Sequence, residues 1–112
     1  MATSTYKRLG AIAGGGTIGT ASTLYTVPAS TGTVVSTITI ANTSATAGTF
    51  SVAVSTTTSF VTAGYIVYQA AIAGNDTIGL TFGITLDTTN KYLLVSSSAV
   101  TVVFSAFGSE IA

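Results

Sequence analysis

Apolar and small polar residues alternate through much of this chain. The clearest run is Thr77–Leu86, where Ile78, Leu80, Phe82, Ile84 and Leu86 occupy every second position. A period of two with β-branched residues predicts a strand buried on one face. The same pattern covers Val34–Ala41 and Phe50–Val54. In the latter, Phe50, Val52 and Val54 share one face, and Thr49, Ser51, Ala53 and Ser55 take the other. The segment between them, Asn42–Thr49, has turn chemistry: Gly48 permits positive φ and Asn42 can hydrogen-bond its own backbone. The two runs are therefore expected to form a hairpin that nucleates an antiparallel sandwich.

Further strands are predicted at Tyr6–Ala13, Ser22–Val27, Tyr65–Ala71, Lys91–Ser96 and Val100–Phe107. Glycines at 14–16 and 19 make Gly14–Thr20 a loop, and Pro28 stops the second strand because it cannot donate to a ladder. Thr56–Gly64 reads as a long crossing segment with Phe60 and Val61 as inward anchors. Gly74-Asn75-Asp76 and Asp87–Asn90 are turns. No stretch has helical periodicity with caps. Seven to eight short strands at spacings of about 8–12 residues predict an all-β, antiparallel β-sandwich, jelly-roll or immunoglobulin-like. Its core is expected around Leu80, Phe82, Ile84, Val102 and Phe104. Residues 1–13 are read as an N-terminal arm or edge strand, and residues 14–112 as a single sandwich domain.

Length supports one domain: 112 residues imply a folded surface of roughly 5,600 Å², enough burial for a core without staples. With no cysteine there is no disulfide framework or thiolate metal site. Charge changes the picture more. The chain has three Lys/Arg, three Asp/Glu and no His, or 5% charged residues, against about 25% in a typical domain. Such a surface lacks both the repulsion that discourages self-association and the basic field that attracts nucleic acid. A subunit held in an assembly is expected, with no nucleic-acid partner. No apolar run reaches the roughly 18 residues a membrane helix needs. No secretory signal is expected either, because only Leu9 and Gly10 lie between Lys7-Arg8 and the A-x-A at Ala11–Ala13.

Candidate chemistry is sparse. Gly14–Gly19 matches G-x-G-x-x-G, but the following TASTLYTVP is strand-like, and no acidic residue lies about 20 positions on. Asp76 and Asp87 sit in turn contexts that explain them. Without His or Cys, and with no serine in G-x-S-x-G, the usual bases and nucleophiles are absent. No catalytic, cofactor or metal residue is assigned. Asn42-Thr43-Ser44 and Asn75-Asp76-Thr77 fit N-x-[ST] but read more simply as turns. Tyr6, Tyr25, Tyr65, Tyr68 and Tyr92 have the chemistry of a sugar-binding or nucleic-acid stacking platform, but the interleaved Lys/Arg that nucleic acid needs are missing, and tyrosine is an ordinary strand residue, so interface or core roles are the expectation. On Tyr65–Ala71, alternation places Ile66 and Tyr68 on one face and Tyr65 and Val67 on the other. A strand apolar on both faces needs cover on both, which makes Tyr65 and Val67 the candidate subunit interface.

Leu24-Tyr25-Thr26-Val27-Pro28, the Val34–Val54 region, Ala73-Gly74-Asn75-Asp76 and the end Phe104–Glu110 together resemble small virion structural proteins of tailed bacteriophages, cyanophages included. The resemblance extends over about Leu24 to Ala112. It implies a non-enzymatic component located in the virion, foremost a capsid decoration protein bridging major capsid subunits. A tail, collar or fibre component and a carbohydrate-binding adhesion module are the alternatives. By analogy with virion proteins a homo-oligomer, first a trimer, is expected. The candidate docking arm contains Tyr6, Lys7, Arg8 and Leu9.

Overall fold

A computed structural model describes residues 4–112, apart from the side chain of Phe82, so the expected core role of Phe82 lies outside the described residues. Eight strands follow in order: β1 (Ser4–Ala13), β2 (Ser22–Thr26), β3 (Gly32–Asn42), β4 (Gly48–Ser55), β5 (Tyr65–Ile72), β6 (Thr77–Leu86), β7 (Tyr92–Ser97) and β8 (Val102–Ile111). A single 3-10 turn, Thr62–Gly64, precedes β5. One sheet has the order β1-β8-β3-β6 and the other β2-β7-β4-β5. Every pairing is antiparallel. This order is that of a jelly roll, an antiparallel sandwich built from two Greek keys. The immunoglobulin-like alternative is thereby set aside.

The expected hairpin between 34–41 and 50–54 does not form. β3 pairs with β6 and β8, and β4 pairs with β5 and β7 in the opposite sheet. The physical reason is the connection. Two-residue loops with positive φ make tight hairpins, whereas residues 43–47 are long enough to step across the gap of about 10 Å between packed sheets. At the C-terminal end, Val100 belongs to a turn and is exposed, and β8 runs on to Ile111. Gly108 permits that extension. A Cβ there would collide with the Val34 carbonyl, so glycine lets β8 lie close to β3.

The core lies between the sheets. Val35, Ile38, Ile40, Val52, Leu93 and Val102 are inaccessible to solvent, and Phe104 is nearly so. Phe50 of β4 meets Phe104 of β8 edge to face, with ring centroids 6.2 Å apart, which pins one sheet to the other. Leu80 and Ile84 are half-buried against this cluster, as suits the edge strand β6. The folded surface is 5477 Å².

Bulges interrupt the first sheet in a row. Along β8, Phe107 and its neighbours run without a break, but β1 inserts Leu9 and β3 inserts Ser36 at the same level. The insertion switches which residues face inward: Val35 before it, Ile38 and Ile40 after it. The Ser36 hydroxyl donates to the Phe107 carbonyl at 3.2 Å, so the disturbed ladder retains a partner.

One end of the sandwich gathers the loops β1–β2, β3–β4, β5–β6 and β7–β8, and Asn42 is its hub. This buried side chain donates through Nδ2 to the Thr46 and Ala73 carbonyls, at 2.8 and 3.3 Å. Its Oδ1 accepts from the Ser44 N–H at 3.1 Å and the Thr101 hydroxyl at 3.2 Å. The Ser44 bond is the local turn expected of Asn, the Thr46 bond stays within the same loop, and the Ala73 and Thr101 bonds reach two further loops. Backbone bonds Thr43 to Thr101 and Asn75 to Ser44 complete the lacing. Gly74 is required here, since a Cβ would overlap the Ala45 backbone.

Candidate functional site

The opposite end, formed by loops β2–β3, β4–β5 and β6–β7, carries the unusual surface chemistry. Two groups of side chains stand out there, one on each lateral side.

The first joins β1, β2, β3 and β8. Lys7 of β1 and Glu110 of β8 form an ion pair at 2.7 Å. The phenol of Tyr25 donates to the other oxygen of Glu110. The Thr33 hydroxyl, 2.9 Å from the same phenol oxygen, is left as donor to it. Burial first, and then the bond to Glu110, pushes the Tyr25 phenol up to about 12. The hydrogen bonds from Lys7 and Tyr25 hold the Glu110 carboxyl below its usual range. Because Tyr25 belongs to one sheet and Thr33, Glu110 and Lys7 to the other, the group closes this side of the sandwich. Gly10 lets the same side close, since a Cβ there would strike the Leu24 carbonyl.

Of the docking-arm residues, Tyr6, Lys7 and Arg8 are exposed and Leu9 is half-buried against the core. All lie in β1, which pairs with β8 from Ser4 to Ala13 and forms one edge of its sheet. Ser4, Thr5, Tyr6, Lys7 and Arg8 are exposed in succession, so this half of β1 presents both faces to solvent.

The second group is aromatic and lies on β5 and the segment before it. Phe60 stacks on Tyr65 at 5.1 Å and 26°, and Tyr65 meets Tyr68 edge-on at 4.8 Å and 79°. Tyr65 stands opposite Ala53 in the ladder, and Ala53 stands opposite Leu94. Ala53 and Leu94 are fully buried yet lie outside the inter-sheet cluster, so they form a floor on the outer face. A hollow of about 350 Å³ is lined by Thr62, Tyr65 and Tyr68. A second, of about 230 Å³, lies across the 3-10 turn and is lined by Val54, Ser55, Thr56, Val61, Ala63, Gly64 and Asn90.

The strict alternation expected on β5 breaks here. Its ladder with β4 slips twice, between Phe50 and Val52 and again between Val52 and Ala53, so β5 holds two extra residues. Tyr65 and Val67 therefore do not share a face. Val67 pairs with Val52 and leans on the core, while Tyr65 and Tyr68 meet on the outside. Val61 is not an inward anchor either. It is 49% exposed, and Phe60 is half-buried on Tyr65.

The remaining candidates stay apart. Asp76 and Asp87 flank the ten-residue β6, which at about 3.3 Å per residue separates them by roughly 33 Å. Asp87 accepts backbone N–H bonds from Asn90 and Thr89, at 2.7 and 2.8 Å, and these hold its carboxyl below the usual value. Asp76 accepts from the Thr77 N–H. The Gly14–Gly19 loop leads into strand β2, with Gly16 and Gly19 at positive φ. Among the described residues there is no group of three or more acidic, His or Cys side chains able to hold a metal, and no helix long and apolar enough to cross a membrane.

The sequence does not single out Glu110 or Phe60 as parts of a site, and it marks Tyr25 only as one of five tyrosines. The signal for Glu110 was present: it is the one carboxylate outside a turn motif, in a chain with so few charges.

No family model matches the chain. No curated protein matches it in sequence. Among solved structures it is similar to a chain described as "Structure of infectious bursal disease virus Gx strain", with a TM-score of 0.48 and 10% identity. The likeness covers 98% of this chain and 31% of that one, so the chain spans about a third of its neighbour's length. That is a resemblance of outline, and the jelly-roll assignment rests on the strand order given above.

Proposed function

We propose that this protein is a structural component of a virion of the tailed-phage type, foremost a decoration protein that docks on the head shell and bridges major capsid subunits. The observation that carries the reading is the outer half of β1. Ser4–Arg8 is a strand at the edge of a sheet with both faces exposed. An edge strand offers unpaired backbone N–H and C=O groups to another chain, and Tyr6 adds a large exposed side chain. The rest of the molecule suits the role. Jelly rolls are recurrent in capsid architecture, although fold alone does not assign a task. The scarcity of charge favours packing against neighbours, and the resemblance of Leu24–Ala112 to phage virion proteins points the same way.

Mechanistically, a protein that binds the assembled lattice and not its free subunits stabilises the assembled state by mass action, by about 2.7 kcal/mol per site at a hundredfold excess over Kd. Tyr6, Lys7, Arg8 and Leu9 divide the work of the arm. Leu9, the Lys7–Glu110 pair and the Tyr6 hydroxyl, 3.1 Å from the Ser36 hydroxyl of β3, hold β1 on its own sheet, and Arg8 with the exposed part of the Tyr6 ring faces the partner. A homo-oligomer, with a trimer as the first arrangement, fits a decoration protein seated at symmetry axes. It enters no enzymatic step.

Sedimentation of the purified protein with heads that lack it tests the reading. Saturable binding at hundreds of copies per head is expected, insensitive to moderate salt because few charges take part. The double variant Tyr6→Ala/Arg8→Ala should bind at least about tenfold more weakly, as an exposed aromatic and Arg anchor would. Absence from heads, with at most a few dozen copies in tails or collars of intact particles, would instead favour the tail or collar role.

A further inference from the structure

We propose that the aromatic corner on β5 is a binding site for a neutral sugar ring, a pyranose presented by a glycan. It lies away from the β1 edge and does not depend on where in a particle the chain resides.

The corner is built, not incidental. Tyr65 is fixed by Phe60 stacked on it and by Ala53 opposite it, so its position is set before any ligand arrives. Tyr68 stands nearly perpendicular to Tyr65 and is 64% exposed. A ring so exposed contributes little to the core. Yet β5 departs from regular geometry to hold it there: it carries two extra residues, and Gln69 adopts φ 47°, a left-handed conformation that non-glycine residues seldom take. The Gln69 N–H is secured on the Ser51 hydroxyl at 2.8 Å, and its side-chain amide donates to the Tyr68 hydroxyl at 3.2 Å. Bulges and strained backbone concentrate where a side chain must be re-aimed for use.

The chemistry of the hollow selects the ligand. Its lining of Thr62, Tyr65 and Tyr68 contains no charge, so nothing there would compensate a phosphate, a carboxylate or a cation. What it offers is an exposed aromatic face, a second ring at right angles, and hydroxyl groups at the rim. The complementary molecule has an apolar face wide enough to lie on a tyrosine and a periphery of hydroxyls. A chair-form pyranose has that shape, with axial C–H groups on one face and O–H groups around the edge. The volume of about 350 Å³ is at the small end of ligand sites, which run from about 300 to 1,000 Å³. The neighbouring hollow, with Thr56 and Asn90 in its wall, offers hydroxyl and amide groups to a second sugar of the same chain.

The test is a titration of the purified protein with the methyl glycosides of glucose, galactose, mannose and N-acetylglucosamine, followed by its amide and tyrosine-ring resonances. At least one glycoside should give saturable shifts centred on Thr62, Tyr65, Tyr68 and Gln69, with a Kd of about 1 mM or somewhat weaker. Tyr68→Ala should weaken it at least about tenfold, as loss of a single stacking platform does, whereas Tyr68→Phe should retain most of it. Both variants should keep the wild-type circular dichroism, because Tyr68 is exposed. If none of the glycosides produces saturable shifts, or if Tyr68→Ala binds as well as wild type, the proposal fails. It also fails if Tyr68→Ala abolishes head binding without affecting any sugar, which would make the corner a subunit contact. Failure of the decoration reading leaves the titration unaffected, so the two ideas fall separately.

Discussion

At the Asn42 end three of the four connecting loops are hydrogen-bonded to one another, whereas at the opposite end the loops are bonded mostly to themselves. The residues are alike: Thr, Ser, Ala, Gly and Asn dominate both. At the first end the buried Asn42, the half-buried Thr101 and the exposed Thr43 and Asn75 tie three connections together. At the second, Ser55, Thr57 and Ser59 bond within one loop, and Asp87 bonds to Thr89 and Asn90 in its own turn. The exception is the Val27 N–H donating to the Lys91 carbonyl. Cross-links between loops resist local opening, and loops that satisfy themselves can move as units. Both proposed recognition surfaces, the β1 edge and the aromatic corner, lie towards the second end. A fixed base and an adaptable surface is the arrangement in which loops supply contacts and a scaffold positions them.

The largest expected effect is at the hub. Asn42→Ala leaves two carbonyls, a backbone N–H and a hydroxyl without that partner, and should cost roughly 2–4 kcal/mol in urea unfolding. Asn42→Asp keeps the acceptor and loses both donors, so it should fall between Ala and wild type. A loss below about 0.5 kcal/mol for Asn42→Ala, typical of an ordinary surface change, would erase the distinction between the ends.

Tyr25 comes next. Tyr25→Phe removes the bond to the Glu110 carboxylate and should cost about 1–3 kcal/mol. The pH dependence sharpens the point. Glu110 titrates lower when folded, so its contribution is present above its usual value of 4.5 and is lost as pH falls through the lower folded value. Tyr25 titrates higher when folded, so its contribution is complete below 10.0 and is lost as pH rises through about 12. Unfolding midpoints measured against pH should therefore fall on both limbs. Tyr25→Phe should flatten the alkaline limb, and Glu110→Gln should flatten the acid one. A variant that flattened neither would show that this group does not close the sandwich.

The smallest effect is expected in the β4–β5 connection. Val61→Ser should change stability by no more than about 0.5 kcal/mol, since Val61 is largely exposed. Amide exchange should be fast across 56–62 and slow at Asn42–Ser44. Equal protection at the two ends would break the comparison outright.

Much of this was legible in the residues. All eight strands announce themselves by alternation or by the turns between them, and Asn42 was marked as a turn former. Pairing partners were not legible, because alternation reports which face is buried and not which strand lies alongside. That is why β3 and β4 read as a hairpin and fold into different sheets. Bulges were equally silent: on β5 two extra residues carry Tyr65 to the same face as Tyr68, against the period of two. The Lys7–Glu110 pair joins opposite ends of the chain, a separation no local pattern encodes. Of the aromatic corner, Tyr65 and Tyr68 were legible as tyrosines but assigned to opposite faces, and Phe60 was read as an inward anchor, since its stacking on Tyr65 depends on how the loop returns.

The row of bulges has a consequence for how the chain finds its structure. Strands so rich in Thr, Ser and Ala resemble one another, and nearly all their pairings join distant segments, the kind of topology that folds slowly and has many slipped alternatives to explore. With inward positions switching at Leu9 and at Ser36, a strand displaced by one residue could satisfy one half of its ladder only by exposing the other. Two inserted residues thus act as a ratchet on the search, rejecting misaligned sheets without the aid of charge.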